Sequence, residues 1–153
     1  MISGTANGKL SFIFSDGTTG KLFYSRDLGN SWTELSSEEE IVLEGTSAPI
    51  MFSGNLFNQA NGLGRFSSST SAQLGIYGNP ESLWKGGSDG SGELATNYKL
   101  TWSGFYKSMF SGLNIGTLSI ILGYTNLSSY CYENMFQNSE IGAIENLFPA
   151  SAI

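Results

Sequence analysis

The amino-acid sequence predicts a mainly β protein with short helices, in which a small N-terminal β-sandwich precedes two helix–turn–strand units. Three observations predict it. In the first half, short runs of β-forming residues are separated by Gly-, Asp- and Ser-rich turns. In the second half a pattern occurs twice: Phe105-Tyr106-Lys107-Ser108-Met109-Phe110 and Cys131-Tyr132-Glu133-Asn134-Met135-Phe136 lie 26 positions apart. Between them, from Gly78 onwards, the composition shifts towards glycine and loop residues. The expected division is a β-module over 1–78, a junction with a Gly-rich loop over 79–97, and two 26-residue units over 98–153.

Length and composition bound the rest. At 153 residues the chain is one ordinary domain or two small ones, and its 40% of hydrophobic residues can bury a core. Only 13% is charged, about half the usual fraction. Seven basic residues are scattered and the net charge is −6, so there is no stripe to neutralise phosphates and no nucleic-acid partner is expected. No apolar run is long enough to span a membrane. Cys131, the one cysteine, has no intrachain disulfide partner. It stands in Phe105's place in the repeat register and is read as a small buried apolar residue. The stretch Met1 to Lys9 has no basic start and no apolar core, so it does not read as a secretion signal. An extracellular protein without one would be released by another route, such as a phage particle freed by lysis.

In chain order, Leu10, Phe12 and Phe14 alternate with Ser11, Ile13 and Ser15, the period of a half-buried strand. Asp16 to Gly20 supplies turn chemistry, and Lys21 to Ser25 resumes a strand. Then comes Ser25-Arg26-Asp27-Leu28-Gly29-Asn30-Ser31-Trp32, which resembles the Asp-box S-x-D-x-G-x-[ST]-W at every constrained position. The resemblance implies two antiparallel strands joined by a turn in which Asp27 caps backbone amides, Gly29 is left-handed and Trp32 closes the apolar side. Asp-boxes are known from sialidases, whose site needs an arginine triad. This chain has only Arg26 and Arg65, and a six-bladed propeller needs a far longer one. The motif is a folding device.

Glu38-Glu39-Glu40 reads as a solvated acidic turn. Ile41 to Glu44, Pro49 to Gly54, Arg65 to Ser67 and Ala72 to Tyr77 are the next strands, with a loop over 55–64. Pro80 to Trp84 is expected to form one helical turn capped by Asn79. The loop Gly86 to Glu93 lacks the Lys-Ser/Thr pair of a phosphate cradle, and its Asp89 and Glu93 lack calcium-loop spacing. It is expected to be a flexible connection.

The 26-residue offset also carries Ile115 onto Ile141, Gly116 onto Gly142 and Leu118 onto Ile144. Leu127, Cys131 and Met135 form one series at helical spacing, with Tyr132 and Phe136 beside it and Asn126 or Ser128 as cap. A turn (Ser111-Gly112, Asn138-Ser139) and a strand (Thr117 to Leu122, Ile141 to Leu147) follow. One such unit cannot bury its own apolar face, so the two stack on a shared core of Tyr106, Met109, Phe110, Tyr132, Met135 and Phe136.

Tyr132, Met135, Phe136, Leu147, Pro149 and Ala150 give a signature similar to the BspA-type leucine-rich repeats. "KLFYSRDLGNSWTEL", "EIVL", "IMFSGN" and "IYGNPESLW" resemble the β-module and junction that precede such repeats. Two features depart from that pattern. Asn138-Ser139 and Gly112-Leu113 stand where the family's turn usually has a cysteine, and two repeats stand where it usually has many. The resemblance implies adhesion or display, on bacterial surfaces or in the particles of phages that infect such bacteria, and carries no catalytic residues.

The residues themselves point the same way. Without histidine there is no Ser-His, Cys-His or His-metal site, and no carboxylate pair stands out for glycoside chemistry. No enzyme, metal or cofactor is expected. Trp84, Trp102 and Tyr124 are the aromatic residues that could stack a cell-surface glycan, or else fill the junction and repeat core. Ile141, Ile144 and Leu147 lie on the final strand, whose edge has no following unit to cover it, so a protein partner is expected there: another virion or surface subunit, or a second copy. The expected function is that of a non-enzymatic virion component, capsid- or tail-associated. A bacterial surface adhesin or carbohydrate-binding module is the alternative.

Overall fold

The computed structural model describes residues 1–69, 72–92, 104–122 and 129–147. Among these residues the protein is mainly β. Its strands are β1 (Ile2–Gly4), β2 (Lys9–Phe14), β3 (Leu22–Ser25), β4 (Thr33–Leu35), β5 (Ile41–Val42), β6 (Gly45–Gly54), β7 (Gly64–Ser68), β8 (Leu74–Gly78), β9 (Asn114–Ile120) and β10 (Glu140–Asn146). One turn of helix, α1 (Ser82–Lys85), precedes β9.

The strands form a seven-stranded sheet in the order β10-β9-β8-β1-β6-β3-β4 and a three-stranded sheet in the order β5-β2-β7. Alternation places Leu10 and Phe12 of β2 inward, and Phe66 of β7 meets Phe12 edge to face at 4.9 Å. The same Phe66 ring touches Phe52 of β6 at 5.1 Å, which joins the two sheets across the core. β1 is too short to show a period in the sequence. It lies between β8 and β6, with Ile2 opposite both Ile76 and Ile50.

The large sheet continues across residue 78. β8, β9 and β10 run parallel, with Leu74 beside Ile115 beside Ile141 and Ile76 beside Leu118 beside Ile144. On the opposite side of the coils, Phe66 stacks on Phe110 at 5.8 Å and Phe110 on Phe136 at 5.7 Å, and Tyr106 stacks on Tyr132 at 5.8 Å. Phe66 and β8 are therefore the first layer of a stack whose second and third layers are the two repeats. The Leu63 and Phe66 N–H groups donate to the carbonyls of Phe105 and Met109, which closes that first layer onto the second.

The expected helix before each Met-Phe pair is corrected. Residues 104–112 and 129–138 form consecutive turns instead. Gly104, Ser108 and Gly112 have positive φ (71°, 56° and 74°), as do Tyr130, Asn134 and Asn138 at the equivalent positions (60°, 54° and 58°). A left-handed residue at every fourth position closes one four-residue turn after another, so apolar side chains recur at i and i+4 without any helix. In a helix each N–H bonds within its own segment. Here the N–H groups of Gly104, Tyr106, Ser108, Phe110 and Gly112 donate across to the carbonyls of Ser129, Cys131, Glu133, Met135 and Gln137. Each repeat is a coil of tandem turns and one strand.

The flexible connection expected at the Gly-rich loop is also corrected over residues 86–92. The Gly87 N–H donates to the Gly54 carbonyl at 3.0 Å and Ser53 Oγ donates to the Gly87 carbonyl at 2.9 Å. Gly90 lies so near Trp32 that a Cβ there would sit 2.8 Å from the indole. The loop is thus pinned to the edge of the module, with Asp89 Oδ1 accepting from the Ser91 N–H and hydroxyl. Glu93 falls outside the described residues.

Candidate interaction face at the end of the stack

The rows of turns have a direction. Alternate N–H groups of the first coil point to the second coil, while carbonyls of Phe105 and Met109 point back to Leu63 and Phe66. Each row therefore has a carbonyl side and an N–H side. Beyond the second coil, the N–H groups of Tyr130, Asn134, Phe136 and Asn138 have no acceptor among the described residues. Successive N–H groups pointing one way around left-handed residues make an electropositive concavity.

Beside this row lies an apolar recess of about 430 Å³, walled by Leu122, Tyr132, Met135, Phe136 and Leu147. β10, the strand that leads into Leu147, belongs to the same layer. Ile76 and Leu118 are buried, yet Ile144, next in the same column, is 56% exposed. Tyr132, Phe136, Ile141 and Leu147 are half-buried because only one layer covers them, whereas Tyr106, Met109 and Phe110 lie between two layers and are buried. Met135 is buried as well. Glu140 and Glu145 add exposed carboxylates along β10, and Lys107 ties Glu133 across the coils at 2.8 Å.

Tyr130 is 67% exposed on a left-handed backbone, at the position where the first coil has Gly104. A bulky residue with positive φ is strained, and strain of this sort gathers at functional surfaces. The 26-residue register reveals it as a glycine replaced by tyrosine at a turn position. A search of the sequence for apolar columns passes over it.

The other candidate residues lie elsewhere. Trp84 is wedged in the junction: its Nε1–H donates to Tyr106 Oη at 3.0 Å, its ring meets Phe105 edge on at 5.0 Å, and Lys85 Nζ lies over it at 4.9 Å. Beneath it Glu81 is fully buried, 3.5 Å from Lys85 Nζ, and accepts a bond from the Asn79 amide. Trp84 therefore braces the module against the first coil and is not placed together with Ile141, Ile144 and Leu147. Trp102 and Tyr124 lie outside the described residues.

At the Asp-box hairpin, Asp27 accepts from the Ser31 N–H at 2.9 Å and the Ser31 hydroxyl at 2.6 Å, and from Ser25 Oγ at 2.8 Å. The Ser31 bonds, then that from Ser25, pull its carboxyl down to about 2. Gly29 has φ 92° and the Trp32 Nε1–H donates to its carbonyl at 3.1 Å. Every acceptor oxygen of Asp27 is thus spent on the turn itself. Cys131 is buried among the coils, and that burial pushes its thiol up, away from nucleophilic reactivity.

No family model, curated protein or solved structure matches this chain. The chemistry of the end face accordingly rests on its own geometry. Among the described residues, no group of three or more His, Cys, Asp or Glu side chains converges to hold a metal ion. No helix there is long and apolar enough to cross a membrane.

Proposed function

We propose that this chain is a non-enzymatic structural protein that works by docking the end of its stack onto another polypeptide, as a capsid- or tail-associated component of a phage particle. The observation that carries the reading is the column Ile76, Leu118, Ile144: two layers are buried and the third is more than half exposed. An edge strand with an apolar face and free backbone donors is a template for pairing. The placement in a particle draws on the resemblance of Tyr132, Met135, Phe136 and Leu147 to BspA-type repeats, whose implied role is adhesion or display. The glycan-binding alternative loses its one described aromatic platform, because Trp84 is engaged by Tyr106, Phe105 and Lys85.

Site-specific photo-crosslinking in the producing cell tests the reading. A benzophenone side chain at Ile144 should capture a structural protein of the purified particle, and one at Leu28, on the distant Asp-box turn, should not. Equal capture from both positions, or absence of the chain from purified particles by mass spectrometry, sinks the proposal.

A further inference from the structure

We infer that the end of the stack takes the carbonyl side of a similar coil on a different polypeptide, and does not take a second copy of this chain. The inference rests on the reading of the end face as the working interface, and adds the chemistry of its partner. Between the two rows of turns, residues 104–112 and 129–138, the backbone bonds run one way, from N–H groups of the first to carbonyls of the second. Ser139 Oγ and the Glu140 N–H, at the end of the second row, donate back to the carbonyls of Phe110 and Leu113. By the same repeat geometry the second coil offers donors outward, at Tyr130, Asn134, Phe136 and Asn138. A partner must therefore present acceptors at two-residue spacing.

Among the described residues both rows of turns already have their carbonyl sides against another layer. The carbonyls of Phe105 and Met109 are taken by Leu63 and Phe66, and those of the second coil by the first. Two copies joined end to end about a two-fold axis would set donors against donors, and would bring Glu140 and Glu145 of each β10 alongside the other pair. A single anion fits the row less well than a polypeptide. The row extends over residues 130–138, it is flanked by those same carboxylates, and an apolar recess runs beside it. The partner's strand would run parallel to β10, as β9 does, place apolar side chains on Ile141 and Ile144, and seat a ring on Phe136 as Phe110 does at 5.7 Å.

The probe is this chain's own second coil, whose carbonyl side is the required shape. A second copy of residues 123–147 is appended after residue 147 and amide exchange is compared with the full chain, while light scattering reports the oligomeric state of the unextended protein. The expected result is at least tenfold slower exchange at Asn134, Phe136 and Asn138 in the extended form, and a monomer for the full chain at high concentration. Ile144→Lys, at an exposed position, should abolish the protection without altering exchange in β8. Unchanged exchange in the extended form overturns the inference. So does a dimer of the unextended chain that Ile144→Lys dissociates, or protection of the same amides by inorganic phosphate alone but not by the appended coil. Crosslinking from Ile144 to a particle protein, together with unchanged exchange, would leave the docking reading standing and remove only the coil as its partner.

Discussion

Asp27 shows how one side chain can hold a turn and declare it through pH. Its carboxylate accepts the hydrogen bonds from Ser31 and Ser25 more strongly when ionised, so the folded state holds its pKa near 2, against an ordinary value of 3.8. A group depressed on folding contributes stability above its unfolded pKa and loses it as pH falls through the folded one. The urea midpoint of the native protein should therefore fall between about pH 4 and pH 2 by more than that of Asp27→Ala, and equal slopes would show that Asp27 is not the group responsible. Tyr130 makes the opposite kind of statement, since its left-handed backbone costs folding energy that glycine would not. Tyr130→Gly should stabilise the isolated protein by about 1 kcal/mol in urea unfolding while weakening capture from the end face. Asp27, Gly29 and Trp32 were legible in the sequence because spacing alone defines their turn. Tyr130 was not, because its 26-residue partner Gly104 signals a turn position only once the backbone dihedrals show both to be left-handed.

At the scale of elements, strands with a period of two were readable and coils with a period of four were not. Leu10, Phe12 and Phe14 admit one reading, whereas Cys131 and Met135 at i and i+4 fit a helix and a pair of tandem turns equally well. What separates the two is the residue that must turn left-handed, and glycine at 104 and 112 with asparagine at 134 and 138 is that signal. The strands between the turns approach closely. A Cβ on Gly142 would lie 2.8 Å from the Gly116 carbonyl oxygen, which is backbone and cannot swing aside. Gly142→Ala should therefore loosen β10 specifically, seen as faster amide exchange at Ile141 and Ala143 with β3 and β6 unaffected. Phe110, between Phe66 and Phe136, is the middle ring of its column. Truncating it to alanine should cost about 3–5 kcal/mol, and a loss below about 1 kcal/mol would mean the column does not bear on stability.

For the whole molecule, the sheet that crosses residue 78 joins module and coils energetically. Phe66 and Ile76 are buried in part by the coils, so the module cannot lose them without exposing its own core. Unfolding in urea followed by indole fluorescence, which reports on Trp32, Trp84 and Trp102 together, and by far-ultraviolet circular dichroism should give coincident single transitions. Separated midpoints would show that the repeats melt on their own. The mainly β character and the repeat register were readable from the sequence. The continuity was not, because Phe66 and Leu74 lie outside the 26-residue spacing and only their stacking on Phe110 and Ile115 reveals a third layer.

The place of β1 carries a consequence in time. Ile2 is held between Ile50 and Ile76, so contacts of very different sequence separation must close around one short strand. Pairings this distant slow folding, because the intervening chain has to be ordered before they form. During synthesis β1 leaves the ribosome before the other described strands and finds its second neighbour only when β8 has followed. A force-sensing arrest sequence placed after successive residues should register little tension until β8 has emerged. β1, made before its neighbours, thus waits for both of them to be enclosed.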